Sequence, residues 1–451
     1  MKFIHLNIPN KKYIKIIIPV LILLTLIIIL FPKWIVDDSF INFRYAKNFL
    51  EGKGLVYNKG IRVEGYTSLL QISLLIISPF DYIYTAHLLG IISFFLSLFF
   101  LYKLLINKTL VLFYVFAPIL YVHIFSGLET VMFTFFLILN MYLFKNNSKF
   151  LIITLSLLSL CRPEGILLSL LIIIYAKETR LKYLAFLIFF IGVRFWYYGD
   201  ILPNSFYVKS VSKGIWHNFI NLFLFSVYYL LLPFALTIFA KTKLKVNKNI
   251  LNVSLIFSAV CIIFYMHSYL EMNYSYRFFI HFYPLAIIAI DQFYNEHSSK
   301  IVVAIISIQF ILYIFLFRSE LEFVSDYKLM IENIHTKAGQ FVHSKVTPND
   351  WIVSDFDVGA IPFYAECNCL DLGGLNDKII ARGNLDMPHF IDYVFQNNPK
   401  VFIITSYEWD YLKHNERTKM IIKDERFRNY KLTEKYGIPE KKYYQFIYVK
   451  Q

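Results

Sequence analysis

From Tyr13 to Phe317 the sequence is a near-continuous series of apolar runs, each roughly 14 to 23 residues long and separated by short polar links. A bilayer's hydrocarbon is crossed by about 20 apolar residues in a helix, and within it every backbone amide and carbonyl must be satisfied inside the segment. A chain patterned this way folds as a bundle of membrane-spanning helices. Composition agrees, since 57% hydrophobic and 17% charged residues over 451 positions is too apolar for a soluble enzyme of that length.

Candidate spans fall at 13–32, 82–102, 109–124, 127–144, 148–161, 163–176, 183–198, 218–240, 250–268, 277–291 and 301–317, about eleven in all. The first follows Lys11, Lys12 and Lys15 without a small-residue cleavage pattern, which marks a retained anchor. A short run, Thr67 to Pro79, reads either as a span or as a re-entrant segment. If it does not cross, Lys103, Lys108, Lys145, Lys149, Lys177, Arg180, Lys182, Lys241 to Lys248 and Lys300 share the N-terminal, cytoplasmic side. The net charge of +14 therefore speaks for membrane orientation and not for a nucleic-acid partner. The protein is expected in the inner or plasma membrane, multi-pass, with a cytoplasmic N-terminus and an extracytoplasmic C-terminal domain. Its four cysteines offer no disulfide framework, because Cys161 and Cys261 lie in apolar runs and Cys367 and Cys369 are too close to bridge without strain.

The same parity gathers Asp37–Tyr66, Ser126–Thr130, Arg162–Gly165, Tyr197–Gly214 and His267–Arg277 on the outer face, with the polar C-terminal part. Residues 1–317 thus form a membrane domain whose first outer loop, 33–66, carries an acidic motif, and 318–451 form a soluble domain. In the latter, 324–342 and 387–396 have helical periodicity, whereas Trp351–Ser354, Val401–Thr405 and Tyr443–Val449 read as strands, a pattern of a small α/β unit. The fold class expected is a polytopic α-helical membrane protein with a C-terminal soluble α/β domain.

The strongest local signal is Asp37-Asp38-Ser39, directly after the first span. It opens a helical segment, stopped at Gly52, that places Ile41, Phe43, Tyr45, Ala46, Phe49 and Leu50 on one side and Arg44, Lys47, Asn48 and Glu51 on the other, as in a helix lying at the membrane interface. The two carboxylates read either as a helix cap or as a general base or metal ligand. Glu129, Arg162 with Glu164, Arg194 and Arg277 sit at ends of spans, where a charge needs a partner. Arg162 either pairs with Glu164 or snorkels, or else it or Arg277 grips a lipid phosphate, with Arg44 and Lys209 weaker candidates for that role. His267 and His281 read as packed side chains, since no His/Cys spacing supports zinc. The aromatic segment Tyr197 to Tyr207 suits an interfacial belt and equally a sugar-stacking surface. Asp355 and Asp357 follow a strand, where a structural turn is the favoured reading and a ligand site the alternative.

Asp37-Asp38-Ser39-Phe40-Ile41-Asn42-Phe43-Arg44-Tyr45-Ala46, continued by Gly52-Lys53-Gly54-Leu55-Val56-Tyr57-Asn58 and Arg62-Val63-Glu64-Gly65-Tyr66-Thr67, resembles the first outer loop of GT-C-fold glycosyltransferases. The resemblance is to the group containing the mycobacterial terminal β-(1→2)-arabinofuranosyltransferase. Gly127-Leu128-Glu129-Thr130, Arg162-Pro163-Glu164-Gly165, Tyr198 to Asn204, Arg277-Phe278, Asp357 to Pro362 and Asp371 to Leu375 follow in that group's order. The resemblance implies an inverting glycosyltransferase that moves a sugar from a polyprenyl-phosphate donor to a cell-envelope glycan or lipid on the outer face. Carried onto this sequence, it implies Asp37 as base with Asp38 beside it, and Arg162, Arg277 and Arg44 on the donor phosphate. Glu129, Asp200, Asn204, Glu64 and Tyr66 would bind sugar or acceptor. A divalent cation is left open and is not required by the sequence. The chain is shorter than the mycobacterial enzymes, which bears on the choice of arabinose. The alternatives are a transporter or flippase of lipid-linked sugar and an inactive glycan-binding relative; a transporter calls for a midplane site and an internal repeat, and neither is visible in the sequence.

Overall fold

The computed structural model describes residues 24–209, 214–238, 247–270, 272–293, 299–383, 385–409 and 416–451. Five of its helices are long and apolar enough to cross a membrane: Tyr82–Leu104, Lys177–Tyr198, Ile215–Leu236, Lys248–Met266 and Ala304–His343. A sixth span results if Lys108–Val115 and Pro118–Phe125, bent by 59°, count as one. Pro118 causes the break, because its ring disfavours a helical residue before it and Ala117 is accordingly extended.

Length and composition therefore give five or six spans among the described residues, not the eleven expected. Thr130–Lys145, Leu151–Cys161, Pro163–Tyr175 and Phe282–Phe293 occupy four of the expected positions as apolar helices of only 11 to 16 residues. Of the expected first span only residues from Leu24 onward are described, helical over 24–30. The ambiguous run contains the nine-residue helix Leu69–Ile77. At 1.5 Å per residue it is about 14 Å long, too short to cross. Helices Leu151–Cys161 and Pro163–Tyr175 meet at Arg162, whose φ of −154° is again dictated by the following proline. That hinge puts Arg162 at a tip between two short helices.

The expected domain boundary at 317/318 falls inside the 40-residue helix Ala304–His343, which runs from its apolar half towards the C-terminal sheet through a π-turn at Ile331–His335. Beyond it lies a five-stranded sheet: β1 Trp351–Ser354, β2 Asn368–Asp371, β3 Val401–Ser406, β4 Tyr430–Ile438 and β5 Tyr443–Lys450, in the order β2-β1-β3-β5-β4. The first three are parallel, and β5 joins β3 and β4 antiparallel. Helix Met387–Gln396 forms as the periodicity predicts, capped by Asp386, whose carboxylate accepts from the His389 amide.

The outer-loop helix Asp37–Leu50 differs from the expected amphipathic helix on a membrane surface. Most of its apolar side and Arg44 and Asn48 of its polar side are buried, Lys47 is half-buried, and Phe49, Leu50 and Glu51 at its end are exposed. Phe40, Phe43 and Tyr45 share one hydrophobic core with Ile331, Ile352, Ile361, Val401 and Ile447 of the soluble domain. Burying several aromatic side chains at about 1.5–3 kcal/mol each makes this helix an integral layer of the soluble domain. Arg44 is buried because it donates to the carbonyls of Tyr57, Pro362 and Cys367 and to Asn58 Oδ1, and its guanidinium stacks on Tyr57.

Candidate functional site

Helix Asp37–Leu50 begins at Asp37 with Val36 as its cap residue and no side-chain cap bond. Asp37 instead caps a different helix. Its carboxylate accepts from the Gly359 amide at 2.8 Å and the Ala360 amide at 2.9 Å, at the start of helix Ala360–Ala365, and lies 3.0 Å from His335 Nδ1. Such proximity demands glycine at 359: a Cβ there would sit 1.9 Å from the Asp37 carbonyl oxygen. The other nitrogen of His335 faces Asp357 Oδ1 at 3.6 Å and the Tyr443 hydroxyl at 3.3 Å. Asp357 in turn accepts from Tyr443, from Gln445 Nε2 and, at 3.3 Å, from Thr405.

Asp37, His335 and Asp357 are, among the described residues, the group whose donor atoms lie close enough together, within 4.8 Å, to hold a metal ion. Geometry favours another reading. A metal can take one imidazole nitrogen, whereas the two carboxylates lie on opposite nitrogens, so His335 sits between them, hydrogen-bonded to Asp37 through Nδ1 and within ion-pair range of Asp357 through Nε2. The trio fastens helix Asp37–Leu50 to the C-terminal segment that carries the sheet.

Asp38 makes different contacts. Its side chain is 21% exposed and, together with the 7% exposed Asp37, lines a cavity of about 1040 Å³ beside the sheet. Arg277 Nη1 lies 3.6 Å from Asp38 Oδ2, and Lys209 lines the same cavity. Burial raises the Asp38 carboxyl above the ordinary carboxylate range; Arg277 and Lys209 pull it back, and Asp37 and Glu129 add to the rise. Burial and the charge of Arg277 lower the Lys209 amine, against the pull of Asp38.

Arg277 follows Ser275 and Tyr276, two consecutive non-glycine residues at φ of 44° and 54°. Left-handed residues in succession store strain, and such strain clusters where a side chain must be aimed. Arg277 is 5% exposed, yet Nε and Nη1 have no hydrogen-bond partner among the described residues. Its ion pairs, to Asp38 at 3.6 Å and Glu129 at 3.7 Å, are both longer than hydrogen bonds. Arg162, by contrast, is fully engaged: it donates to Glu129 at 2.9 Å and to both oxygens of Glu164 at 2.8 and 3.2 Å. Tyr265 also donates to Glu164, at 2.7 Å. The alternation Asp38, Arg277, Glu129, Arg162, Glu164 makes a buried ladder of charge whose loosest rung is Arg277.

Of the remaining expected site residues, Arg44, Glu64, Tyr66, Asp200 and Asn204 do not line the cavity that holds Asp38. Arg44 spends four of its five N–H donors on carbonyl oxygens, as described. Glu64 pairs with Arg194 at 2.8 Å, and burial, outweighing that attraction, raises its carboxyl to about 7. Tyr66 is buried with its hydroxyl 3.1 Å from that of Tyr198. Asp200 binds Lys378 at 2.7 Å and Arg382 at 2.6 Å, and the Asn204 amide donates to the carbonyls of Gly374, Leu375 and Asp377. These two clamp the loop after helix Lys177–Tyr198 to the soluble domain. Glu129 is a buried counter-ion of Arg162 and Arg277. The sequence pattern carries no mark for His335, a lone histidine on a helix, or for Tyr327 and Tyr443 beside the acidic pair; Asp357 reads from sequence as a turn residue, with a ligand site after a strand as the alternative.

Residues 325–448 match a family described as a domain of unknown function (DUF8728). No curated protein matches the chain in sequence. Among solved structures the chain is similar to ArnT from Cupriavidus metallidurans, a glycosyltransferase of GT-C fold. To that protein bound to undecaprenyl phosphate the TM-score is 0.60 at 9% identity, with 96% of this chain and 98% of the other covered. To its apo state the TM-score is 0.56, again at 9% identity, with 97% of each chain covered. The likeness runs the length of both chains and shows a shared fold.

Proposed function

We propose that the protein is an inverting membrane glycosyltransferase that takes a sugar from a polyprenyl-phosphate carrier at the outer face of the cell membrane, with its C-terminal domain outside. One observation carries the reading: a cavity-facing carboxylate, Asp38, stands 3.6 Å from an arginine with unused buried donors, at the junction of membrane helices and soluble domain. The fold it shares with ArnT, one structure of which holds undecaprenyl phosphate, supports a polyprenyl-phosphate ligand.

In this reading an acceptor hydroxyl attacks the anomeric carbon, its oxygen forms the new glycosidic bond, and its proton passes to the Asp38 carboxylate. The bond from anomeric carbon to phosphate oxygen breaks, and the polyprenyl phosphate leaves with the electron pair. Arg277 and Lys209 stabilise the charge that grows on the phosphate, where preorganised cations act most strongly. A base works best when its affinity for protons approaches the working pH, and burial shifts Asp38 in that direction. Asp37, with three donors on its carboxylate, takes the part of a docking residue, and Arg162 and Glu129 hold Arg277 in place. The sugar remains open within this proposal, and arabinose has no support in the geometry.

The test is turnover of radiolabelled polyprenyl-phosphate sugars by the purified full-length protein. Asp38→Asn is expected to lower transfer by about 10²- to 10⁴-fold, as removal of a general base does, and to leave undecaprenyl phosphate bound. Full turnover by that variant would remove Asp38 from the mechanism.

A further inference from the structure

The turn that aims Arg277 is one that L-residues disfavour, so its shape depends on what holds it. Ser275 (φ 44°, ψ 41°) and Tyr276 (φ 54°) both lie in the left-handed region immediately before Arg277. Neither is glycine, so each side chain crowds the backbone, and such a conformation persists only where its surroundings fix it. Part of the fixing is local: the Arg277 amide donates to the Tyr274 carbonyl at 3.0 Å, and the Phe278 amide to Asn273 Oδ1 at 3.0 Å. These bonds close the loop on itself and leave its position against the helices to other contacts.

Two contacts from distant segments converge on Ser275. Its carbonyl oxygen lies 3.1 Å from His123 Nε2, and its hydroxyl donates to Glu320 Oε2. Glu320 is half-buried on helix Ala304–His343, and Ser275 is its hydrogen-bond partner among the described residues. A hydroxyl-to-carboxylate bond is among the stronger hydrogen bonds a protein makes. One turn further along the helix Phe323 stacks on Tyr274, ring centroids 5.9 Å apart, so the same helix also grips the residue before Ser275.

This helix face continues to the aspartate pair. Tyr327, two turns on from Glu320, accepts from the Asp37 amide at 3.4 Å, and His335 meets the Asp37 carboxylate at 3.0 Å. A π-turn holds one residue more than an α-turn, and the one at Ile331–His335 thereby brings His335 onto the face of Glu320 and Tyr327.

We infer that Glu320 is a positioning residue for Arg277. Its bond to Ser275 latches the strained turn to helix Ala304–His343, so that one element sets the guanidinium and the aspartate pair relative to each other. The latch itself needs no ligand, whereas its effect on a lipid phosphate rests on the transferase reading of Arg277.

The experiment uses the full chain in nanodiscs with two readouts, hydrogen–deuterium exchange at residues 273–280 and undecaprenyl phosphate affinity by native mass spectrometry. In Glu320→Ala and in Ser275→Ala exchange is expected to quicken, and affinity to fall, by about tenfold, the worth of one hydrogen bond to a charged group. The double variant should lose no more than either single one, because all three remove the same bond. Glu320→Gln keeps an acceptor oxygen and should stay within about threefold of the unaltered protein. A merely structural role would lower Tm in the alanine variants and leave their affinity undiminished. That result, additive losses in the double variant, or Glu320→Gln as weak as Glu320→Ala would each overturn the inference. If the unaltered protein binds no undecaprenyl phosphate, the donor reading fails and exchange decides the latch: faster exchange in both alanine variants supports it, and unchanged exchange refutes it. Lipid bound equally by every variant, with exchange unchanged, sinks the latch and spares the donor reading.

Discussion

The two adjacent aspartates of the outer helix are expected to answer the same substitution in opposite ways. In Asp37→Asn one carboxylate oxygen becomes an NH₂ group. Three donors converge on Asp37, from Gly359, Ala360 and His335, so one of them then faces a donor. Leaving a buried N–H unsatisfied costs about 1–3 kcal/mol, and removing the charge from the two surviving bonds roughly halves their worth of about 1.5–3 kcal/mol each. The junction thus loses about 3–6 kcal/mol, a large share of a typical domain's stability. Asp38→Asn removes one ion pair longer than a hydrogen bond from a partly exposed side chain and costs far less. Differential scanning fluorimetry in detergent should show a Tm lowered by several degrees for Asp37→Asn alone, with faster tryptic release of the C-terminal domain. Transfer assays should show Asp38→Asn dead and Asp37→Asn partly active at low temperature. An Asp37→Asn protein with unaltered Tm and protease resistance, yet no turnover, would refute the division of roles and return the base to Asp37.

Gly359→Ala should mimic the docking defect without touching a charge, since its Cβ would lie 1.9 Å from the Asp37 carbonyl oxygen and 2.6 Å from Oδ2; a cost of at least about 1–3 kcal/mol is read as a lower Tm. Arg277→Gln should weaken undecaprenyl phosphate binding by about 10- to 100-fold in native mass spectrometry, while Arg44→Gln, which has no donor in the cavity, lowers Tm and leaves that affinity unchanged. The rate of transfer should climb with pH through a midpoint above the ordinary carboxylate range, because burial raises Asp38 and only its ionised form takes a proton. Glu64, raised from 4.5 to about 7, is more readily protonated folded than unfolded, so its contribution to stability is full below pH 4.5 and falls as pH rises through about 7. The loss is about 3 kcal/mol, and Glu64→Gln should flatten that part of the Tm-against-pH curve.

Much of the site was legible because its residues sit next to punctuation. Asp37 and Asp38 follow an apolar run, Arg162 precedes a proline, and Gly52 ends the outer helix, so each was found from local rules. Roles were not legible in the same way. Asp37 and Asp38 are neighbours of one chemical type that line one cavity, and only the approach of Gly359 and His335, some 300 positions later, fills the carboxylate of the first and leaves the second with a long ion pair to Arg277. Arg44, Asp200 and Asn204 read as ligand-binding groups because polar side chains in neighbouring loops are indistinguishable until their partners are known; all three tie the N-terminal helical part to the C-terminal segment, at Pro362, Lys378 and Gly374. Strand β4 was missed because Lys431, Glu434 and Lys435 break its apolar pattern, as an edge strand's charges do.

By itself the sequence determined that this is a helical membrane protein with a small α/β unit at its end, since apolar run length and period are local properties that a bilayer and a sheet each read directly. The tertiary structure decided which charge faces which. Ion pairs, the strained turn that aims Arg277 and the burial of the outer helix beneath the soluble domain all depend on contacts between segments far apart in sequence, and no local pattern encodes those distances.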